Sequence, residues 1–592
     1  MLPSNASQNL SSDAIANIEL WLTQPKYAEY KDELLKMIRA ERWHELEDAF
    51  FKVVEFGTAG RRGTTGLGSN RINKVTIGES AQALCEYVLS HDKAAASKGV
   101  AIAYDTRLTS PELSRLAAEV CAANGFKVYY FESFRSTPEL SFAVRHLGAA
   151  TGIVISASHN PPADNGFKAY WSDGGQIASP HDQGILDKAE AISDIKTGSF
   201  DEFVASGVIE IIGEAVDRAY IERVAAEAEG QARDISIVYS PLHGAGQTNT
   251  LPILRAAGFD DIKVVEPQMT PDGNFPTIPN GKPNPQEKAA NDMAVEMLIG
   301  TAADIAITND PDADRLGVMV RRGSDVVYLS GNQTYILGAD YILSKLKSKG
   351  TLSPSHFLVN TIVTTDMSAA LAKYYDVTCY NTLPVGFKYV GALITSKEST
   401  DEKFVYGGEE SYGGLKGVYA RDKDGASAAL PLAEYAAELK LEGKTLWDKL
   451  TELYIQHGLY VEQLENIDSP GADGFTNMKR AMEILRTEPP RKIGDYEVTA
   501  ILDYQSLERR DVATGEITVI DSIANNTVAV ELGSYERRLT VRPSGTEPKM
   551  KFYGMWQEPA SDLSAEAVAG RYTELQELLG DLSRKLAAQI LS

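Results

Sequence analysis

Four short segments concentrate side chains that do chemistry when brought together. The first is Ala157-Ser158-His159-Asn160-Pro161-Pro162, where a hydroxyl and an imidazole are adjacent. A serine hydroxyl is a weak nucleophile until a base or a metal activates it. The GxSxG turn of hydrolases is absent, because Ser156 and Asn160 flank the serine. By itself a Ser–His pair in a turn is structural. It needs partners before it means catalysis.

The second is Asp310-Pro311-Asp312-Ala313-Asp314-Arg315. Three carboxylates at alternate positions in a proline-constrained turn repel one another unless a cation lies between them. Hard oxygen ligands favour Mg²⁺ over zinc or copper. A calcium-binding EF-hand shares the opening spacing but fails twice: Arg315 stands where glycine is required and Arg321 where a bidentate glutamate belongs. A purely structural acidic turn is the remaining alternative.

The third, Tyr406 to Gly414, sets Glu409 and Ser411 among glycines, offering acceptors for neighbouring sugar hydroxyls where the backbone can approach closely. The fourth, Arg542-Pro543-Ser544-Gly545-Thr546-Glu547-Pro548-Lys549, groups a guanidinium, two hydroxyls and exposed backbone into a nest for phosphate oxygens. It lacks the Walker A order. Read alone, each is also an ordinary turn. Phe56 to Gly63 brings Arg61 and Arg62, and Val385-Gly386-Phe387-Lys388 and Arg421 to Gly425 complete the set. Arg62, Lys168, Arg315, Lys388, Lys423 and Arg542 supply the cations that an anionic ligand needs.

The elements that must position these loops are legible as three strand–helix–strand runs. VAIAY, SPELSRLAAEVCAANGF and KVYYF form one, ISIVYS, LPILRAAGF and IKVVEP a second, and HFLVNT, SAALAKYYD and VTCYNT a third. Strands alternating with helices predict mostly parallel sheets covered on both faces. The wide intervals predict related domains and not a short-period solenoid. After about Glu462 the texture turns to antiparallel strands and a long amphipathic final helix. The fold expected is α/β: three related α/β domains with mixed, mostly parallel sheets, plus a C-terminal α+β domain, around a central cleft. The expected divisions are 1–223, which includes a helical extension of about fifty residues, 224–335, 336–462 and 463–592.

Bulk properties agree. The 592 residues far exceed the roughly 250–300 at which one core stops growing. A net charge of −24 would repel nucleic acid, so small-molecule partners are expected instead. Cys85, Cys121 and Cys379 form no disulfide or metal spacing, consistent with buried thiols in a reducing compartment. The N-terminal stretch lacks a secretory profile, and no apolar run reaches the ~18 residues of a membrane helix. A cytoplasmic monomer or weak dimer is expected.

In order along the chain, FGTAGRRG, SASHNP, DPDADR, GEES and RPSGTEPK resemble the α-D-phosphohexomutase superfamily, most closely its long phosphoglucomutase and phosphopentomutase branch. The resemblance spans essentially the whole chain and implies roles. Ser158 would carry a phosphoryl group and, through a phosphate oxygen, join Asp310, Asp312 and Asp314 around Mg²⁺. His159 and Lys423 would do acid–base work, with Arg62 and Lys168 beside the nucleophile. Glu409 and Ser411 would bind sugar hydroxyls, with Arg315, Gly386 and Lys388 also at the substrate. Arg542, Ser544, Gly545 and Thr546 would hold the phosphate that is not reacting. Arg61 stands where such loops commonly carry an apolar residue, which leaves open whether Arg61 or Arg62 faces the site. The implied activity interconverts glucose 1-phosphate and glucose 6-phosphate through glucose 1,6-bisphosphate. Phosphopentomutase and phosphomannomutase are the alternatives, and GEES leans towards glucose over mannose. A non-catalytic sugar-phosphate-binding descendant would be expected to have lost the serine or the aspartates, and both are intact.

Overall fold

Each of the three runs folds as strand, helix and strand in a computed structural model that describes residues 2–3, 5–54, 56–57, 60–469, 474–544 and 549–591. The first is Val100–Tyr104, Ser110–Ala123 and Val128–Phe131; the second Ile237–Ser240, Thr250–Ala256 and Ile262–Val264; the third His356–Thr361, Met367–Tyr375 and Thr378–Leu383. The leading strands are mostly apolar and buried along their whole length, as strands covered on both faces must be. Pro111 sits in the first turn of its helix, where no N–H is needed.

The first sheet has seven strands, the second five and the third four. All three are mixed, and all repeat one device. A parallel strand ends in a loop, and the chain returns antiparallel beside it. In the first sheet Thr151–Ile155 is parallel to Val100–Tyr104 and antiparallel to Asp164–Trp171. In the second Ile305–Asn309 is parallel to Ile237–Ser240 and antiparallel to Leu316–Arg322. In the third Lys403–Glu409 is parallel to His356–Thr361 and antiparallel to Gly413–Lys416. Ser158, the acidic turn and the Glu409–Ser411 segment therefore sit at equivalent places, at the carboxyl ends of parallel strands where α/β ligand sites form.

The C-terminal domain is a seven-stranded sheet running from Leu459–Asp468 to Ile517–Val519, packed against helices Gly474–Thr487 and Ala565–Ile590. Its strand pairs are all antiparallel. The N-terminal helices Ser12–Thr23, Lys31–Arg39 and Trp43–Phe50 build a small core around Trp21, Leu34 and Phe50 that also takes in Leu67 and Val75 of the first α/β domain. Among the described residues no helix is long and apolar enough to cross a membrane.

Candidate active site

Residues from all three α/β domains and the C-terminal domain line one cleft of about 1780 Å³. Buried Thr151–Ile155 delivers the chain to Ser158, and its pairing has ended before Pro161, which has no N–H with which to resume it. Ser158 takes a positive φ of 52°, a strained state for a serine that the surroundings must impose. Arg107 imposes it. This guanidinium is 1% exposed and donates to the carbonyls of Ser158 (2.7 Å), Pro161 (2.7 Å), Asp164 (2.9 Å) and Asn160.

So held, Ser158 Oγ donates to Asp310 Oδ2 at 2.7 Å and lies 3.0 Å from His159 Nδ1. Burial, then the Arg315 and Arg62 cations, push the His159 imidazole well below its usual range and keep it neutral. A neutral ring can accept the serine proton.

The acidic turn is fully buried, and one carboxylate oxygen from each of Asp310, Asp312 and Asp314 lies within 4.8 Å of the others. Ala313, at φ 56°, turns the chain between the second and third aspartates. Asp310 Oδ1 accepts the Arg315 N–H at 3.0 Å. Asp312 Oδ2 accepts from Thr137 Oγ1 at 2.7 Å and Lys168 Nζ at 2.5 Å. Asp314 Oδ2 pairs with Lys423 at 2.9 Å and Lys168 at 3.6 Å. Burial, then Asp314 and Asp312, push the Asp310 carboxyl well above the carboxylate range. Burial also works against charge on Asp312, but Lys168 and Thr137 outweigh it and hold that carboxyl down. Asp312 Oδ1 and Asp314 Oδ1 are buried without a hydrogen-bond partner among the described residues. Orphaned anionic oxygens converging in this way fit a hard divalent cation.

Alternation along Gly60–Thr64 answers which arginine faces the site, because neighbours on a strand point to opposite sides. Arg61 is buried against Thr76 O (3.1 Å), Ser80 Oγ (3.2 Å) and Glu79 (3.7 Å). Arg62 lines the cleft and reaches Asn160 Oδ1 at 3.4 Å.

Glu409 ends its strand buried, with Oε1 accepting the Gly386 N–H at 3.0 Å. Gly386 has φ 127°, a conformation suited to glycine, and it orients that N–H. Ser411, Arg315 and Lys423 also line the cleft. So does Glu410, whose carboxyl is pushed up to about 7 by burial and then by Glu409. Lys388 is not among the lining residues. Its helix Phe387–Lys397 turns the ammonium to Asp182, 3.6 Å away, while Gly386, Phe387 and Tyr389 face the cavity.

From the C-terminal domain, Arg542 and Ser544 reach the cleft. Gly545 and Thr546 lie outside the described residues, as do Thr58 and Ala59 of the N-terminal glycine-rich segment. The neighbouring strand adds Lys549, Lys551 and Tyr553. Lys551, paired in register with Arg542, was missed by motif reading, although the period-two spacing of Lys549, Lys551 and Tyr553 marks one face. Burial, then Arg542, lower the Lys551 ammonium, so an anion there would be welcome. Arg107 was missed too. Its one signal is an Asp-Thr-Arg sequence closing a buried strand.

Family models for the phosphoglucomutase/phosphomannomutase alpha/beta/alpha domains I, II and III match residues 53–196, 218–323 and 330–456. A phosphoglucomutase of Staphylococcus epidermidis is 34% identical over 515 residues, covering 86% of this chain and 92% of its own. One from Staphylococcus aureus is 32% identical over 554 residues, covering 93% and 97%. Among solved structures, the Paramecium phosphoglucomutase pp63/parafusin superposes with a TM-score of 0.64 at 18% identity, covering 90% of this chain and 95% of its own. A phosphoglucomutase/phosphomannomutase family protein from Burkholderia thailandensis gives 0.63 at 20% identity, covering 91% and 98%. These structural likenesses speak to fold.

Proposed function

The chain belongs to the phosphoglucomutase/phosphomannomutase family, and on that premise we propose that it interconverts α-D-glucose 1-phosphate and glucose 6-phosphate by way of a phosphorylated Ser158. The observation that carries the reading is the 2.7 Å contact between Ser158 Oγ and Asp310 within the cleft that also holds Glu409 and Arg542. Its relatives named phosphoglucomutase support the choice of sugar.

Asp310, Asp312 and Asp314, with a phosphate oxygen on Ser158, would hold Mg²⁺. When bound, that ion offsets charge on the phosphoryl oxygens. Phosphoryl transfer otherwise depends on positioning and electrostatics. In the first transfer the bond from phosphorus to Ser158 Oγ breaks, and a new one forms to the substrate's free hydroxyl, giving the 1,6-bisphosphate. Neutral His159, 3.0 Å from Oγ, would take the proton that the attacking hydroxyl gives up and pass it to Oγ as the bond to phosphorus breaks. Burial would lower the Lys423 ammonium, but Asp314, Asp422 and Glu409 hold it protonated, so it would donate a hydrogen bond to the sugar hydroxyl's oxygen and not take its proton. Arg62, Lys168 and Arg315 attract the phosphoryl oxygens. Glu409 and Ser411 take the sugar hydroxyls, and Arg542 and Ser544, with Gly545 and Thr546, take the distal phosphate. The bisphosphate then turns end for end and returns its other phosphoryl to Ser158, so the distal grip must hold either end and release it.

A phosphorus NMR time course with glucose 1-phosphate, Mg²⁺ and a trace of glucose 1,6-bisphosphate tests this reading. Growth of the glucose 6-phosphate resonance is expected. An unchanged spectrum, with mannose 1-phosphate or ribose 1-phosphate turned over instead, would overturn the choice of sugar; no turnover of any would overturn the mutase.

A further inference from the structure

The strand Asp164–Trp171 aims two buried side chains at the cleft's polar machinery. Lys168 and Tyr170 are two residues apart and therefore share a face. Lys168 reaches Asp312 at 2.5 Å. Tyr170 is 0% exposed and donates its hydroxyl to Asp422 Oδ2 at 2.8 Å. Gln176, bridged to Tyr170 across the turn, donates to the same oxygen at 2.9 Å and lies 3.2 Å from the Tyr170 hydroxyl. The other carboxylate oxygen, Asp422 Oδ1, accepts the Lys423 N–H at 2.9 Å and stands 3.8 Å from Lys423 Nζ. That ammonium ends against Asp314 at 2.9 Å. Burial, then Asp422, raise the Tyr170 phenol well above its usual range, so it remains a donor.

The loop bearing Lys423 belongs to the third α/β domain but is also held from outside it, by Tyr170 of the first sheet and by helices Thr137–Leu147 and Glu214–Ala225. Ser141 Oγ accepts the Arg421 N–H at 2.9 Å, and Asp424 accepts the hydroxyls of Tyr220 (2.7 Å) and Tyr419 (2.5 Å). Within this set Asp422 is the group that joins the first sheet directly to the Lys423 ammonium.

The geometry points to Tyr170, assisted by Gln176, as a positioning residue that fixes the Lys423 ammonium through Asp422. One strand would thereby set both lysines that flank the acidic turn. This rests on the mutase reading and adds to it a coupling between the strand after the phosphoserine loop and Lys423. Because a misplacement of about 1 Å can lower a rate by about 10²-fold, loss of one hydroxyl in this chain is large enough to measure.

The test compares wild type, Tyr170→Phe, Lys423→Ala and the double variant in steady-state turnover of glucose 1-phosphate. Tyr170→Phe keeps the ring in its core and is expected to lower kcat about tenfold with KM within about twofold. In the Lys423→Ala background the same change should cost less than about twofold, since the group it places has gone. Undiminished kcat in Tyr170→Phe, or an equal loss in both backgrounds, overturns the proposal. Should Tyr170→Phe fail to fold, Gln176→Ala, a partly exposed position, is read the same way against the same two criteria. Wild-type turnover is recorded alongside. Its absence overturns the mutase reading, whereas its presence with unaffected variants overturns only the Tyr170 assignment.

Discussion

Ser158 Oγ and Asp310 Oδ2 meet at 2.7 Å although 152 residues separate them. Each is the product of the same local device, a loop between a parallel strand and its antiparallel return, built in a different sheet. The two loops converge because the domains pack with the carboxyl ends of their parallel strands towards one cleft. The proposed phosphoserine role rests on this hydroxyl being held against a carboxylate at a backbone conformation that serine adopts reluctantly.

If Ser158 carries the phosphoryl group, Ser158→Ala removes the acceptor and leaves the rest of the cleft intact. Turnover should fall by at least about 10³-fold, while calorimetric titration still detects glucose 6-phosphate binding. A variant that keeps even a tenth of the wild-type rate would rule the role out.

The acidic turn yields a second expectation. Two of its oxygens lack a hydrogen-bond partner among the described residues, although Lys168, Lys423 and Arg315 stand beside the three carboxylates. EDTA should therefore abolish activity and Mg²⁺ restore it. Asp310→Asn should raise the Mg²⁺ concentration needed for half-maximal turnover about 10–100-fold. Full activity in chelator would refute a metal role for these aspartates.

Much of this was legible because each loop is contiguous in sequence. Three alternating aspartates point to a hard cation without knowledge of the fold, whereas the hydroxyl beside an imidazole took its meaning only from the other loops. The α/β units were legible because fully buried strands read as apolar runs. Arg107 and Tyr170 were not, since their roles depend on partners far away in the chain. Arg107 acts on the carbonyls of Ser158 to Asp164, and Tyr170 on Asp422. Lys388 was expected at the substrate next to Gly386, and its ammonium stands 3.6 Å from Asp182. Nothing local in the sequence signals that neighbour. Arg61 and Arg62 were ambiguous only until the strand register was known, after which parity assigned them.

Lys551 offers a third test. Its ammonium lies on the face shared with Arg542 and is lowered by burial and by that neighbour. A bound phosphate would relieve both effects. Lys551→Ala should raise KM for glucose 1-phosphate about tenfold or more while lowering kcat less, as expected for a contact kept through the reaction. An unchanged KM would remove Lys551 from the phosphate grip.

A fourth prediction concerns stability where the third α/β domain meets the C-terminal sheet. Glu462 lies in strand Leu459–Asp468, and Arg538 of the same sheet pairs with Asp366 at 2.5 and 3.1 Å. Burial pushes the Glu462 carboxyl up to about 7, against a smaller opposing effect from the Thr365 hydroxyl. In the unfolded chain the same group titrates near the ordinary glutamate value, about 4.3. Between those values the folded protein keeps a proton that the unfolded chain has lost. Stability therefore falls as pH rises from about 4.5 to about 7, and this contribution levels off above that. A glutamine in its place has no such proton to lose, so Glu462→Gln should flatten that part of the profile. The variant should also be more stable than wild type at pH 8 by about 1–3 kcal/mol, the lower end reflecting partial solvation of the carboxyl. Thermal unfolding midpoints measured from pH 5 to pH 8 decide it. Parallel slopes for the two proteins would show that Glu462 does not hold its proton in the folded state.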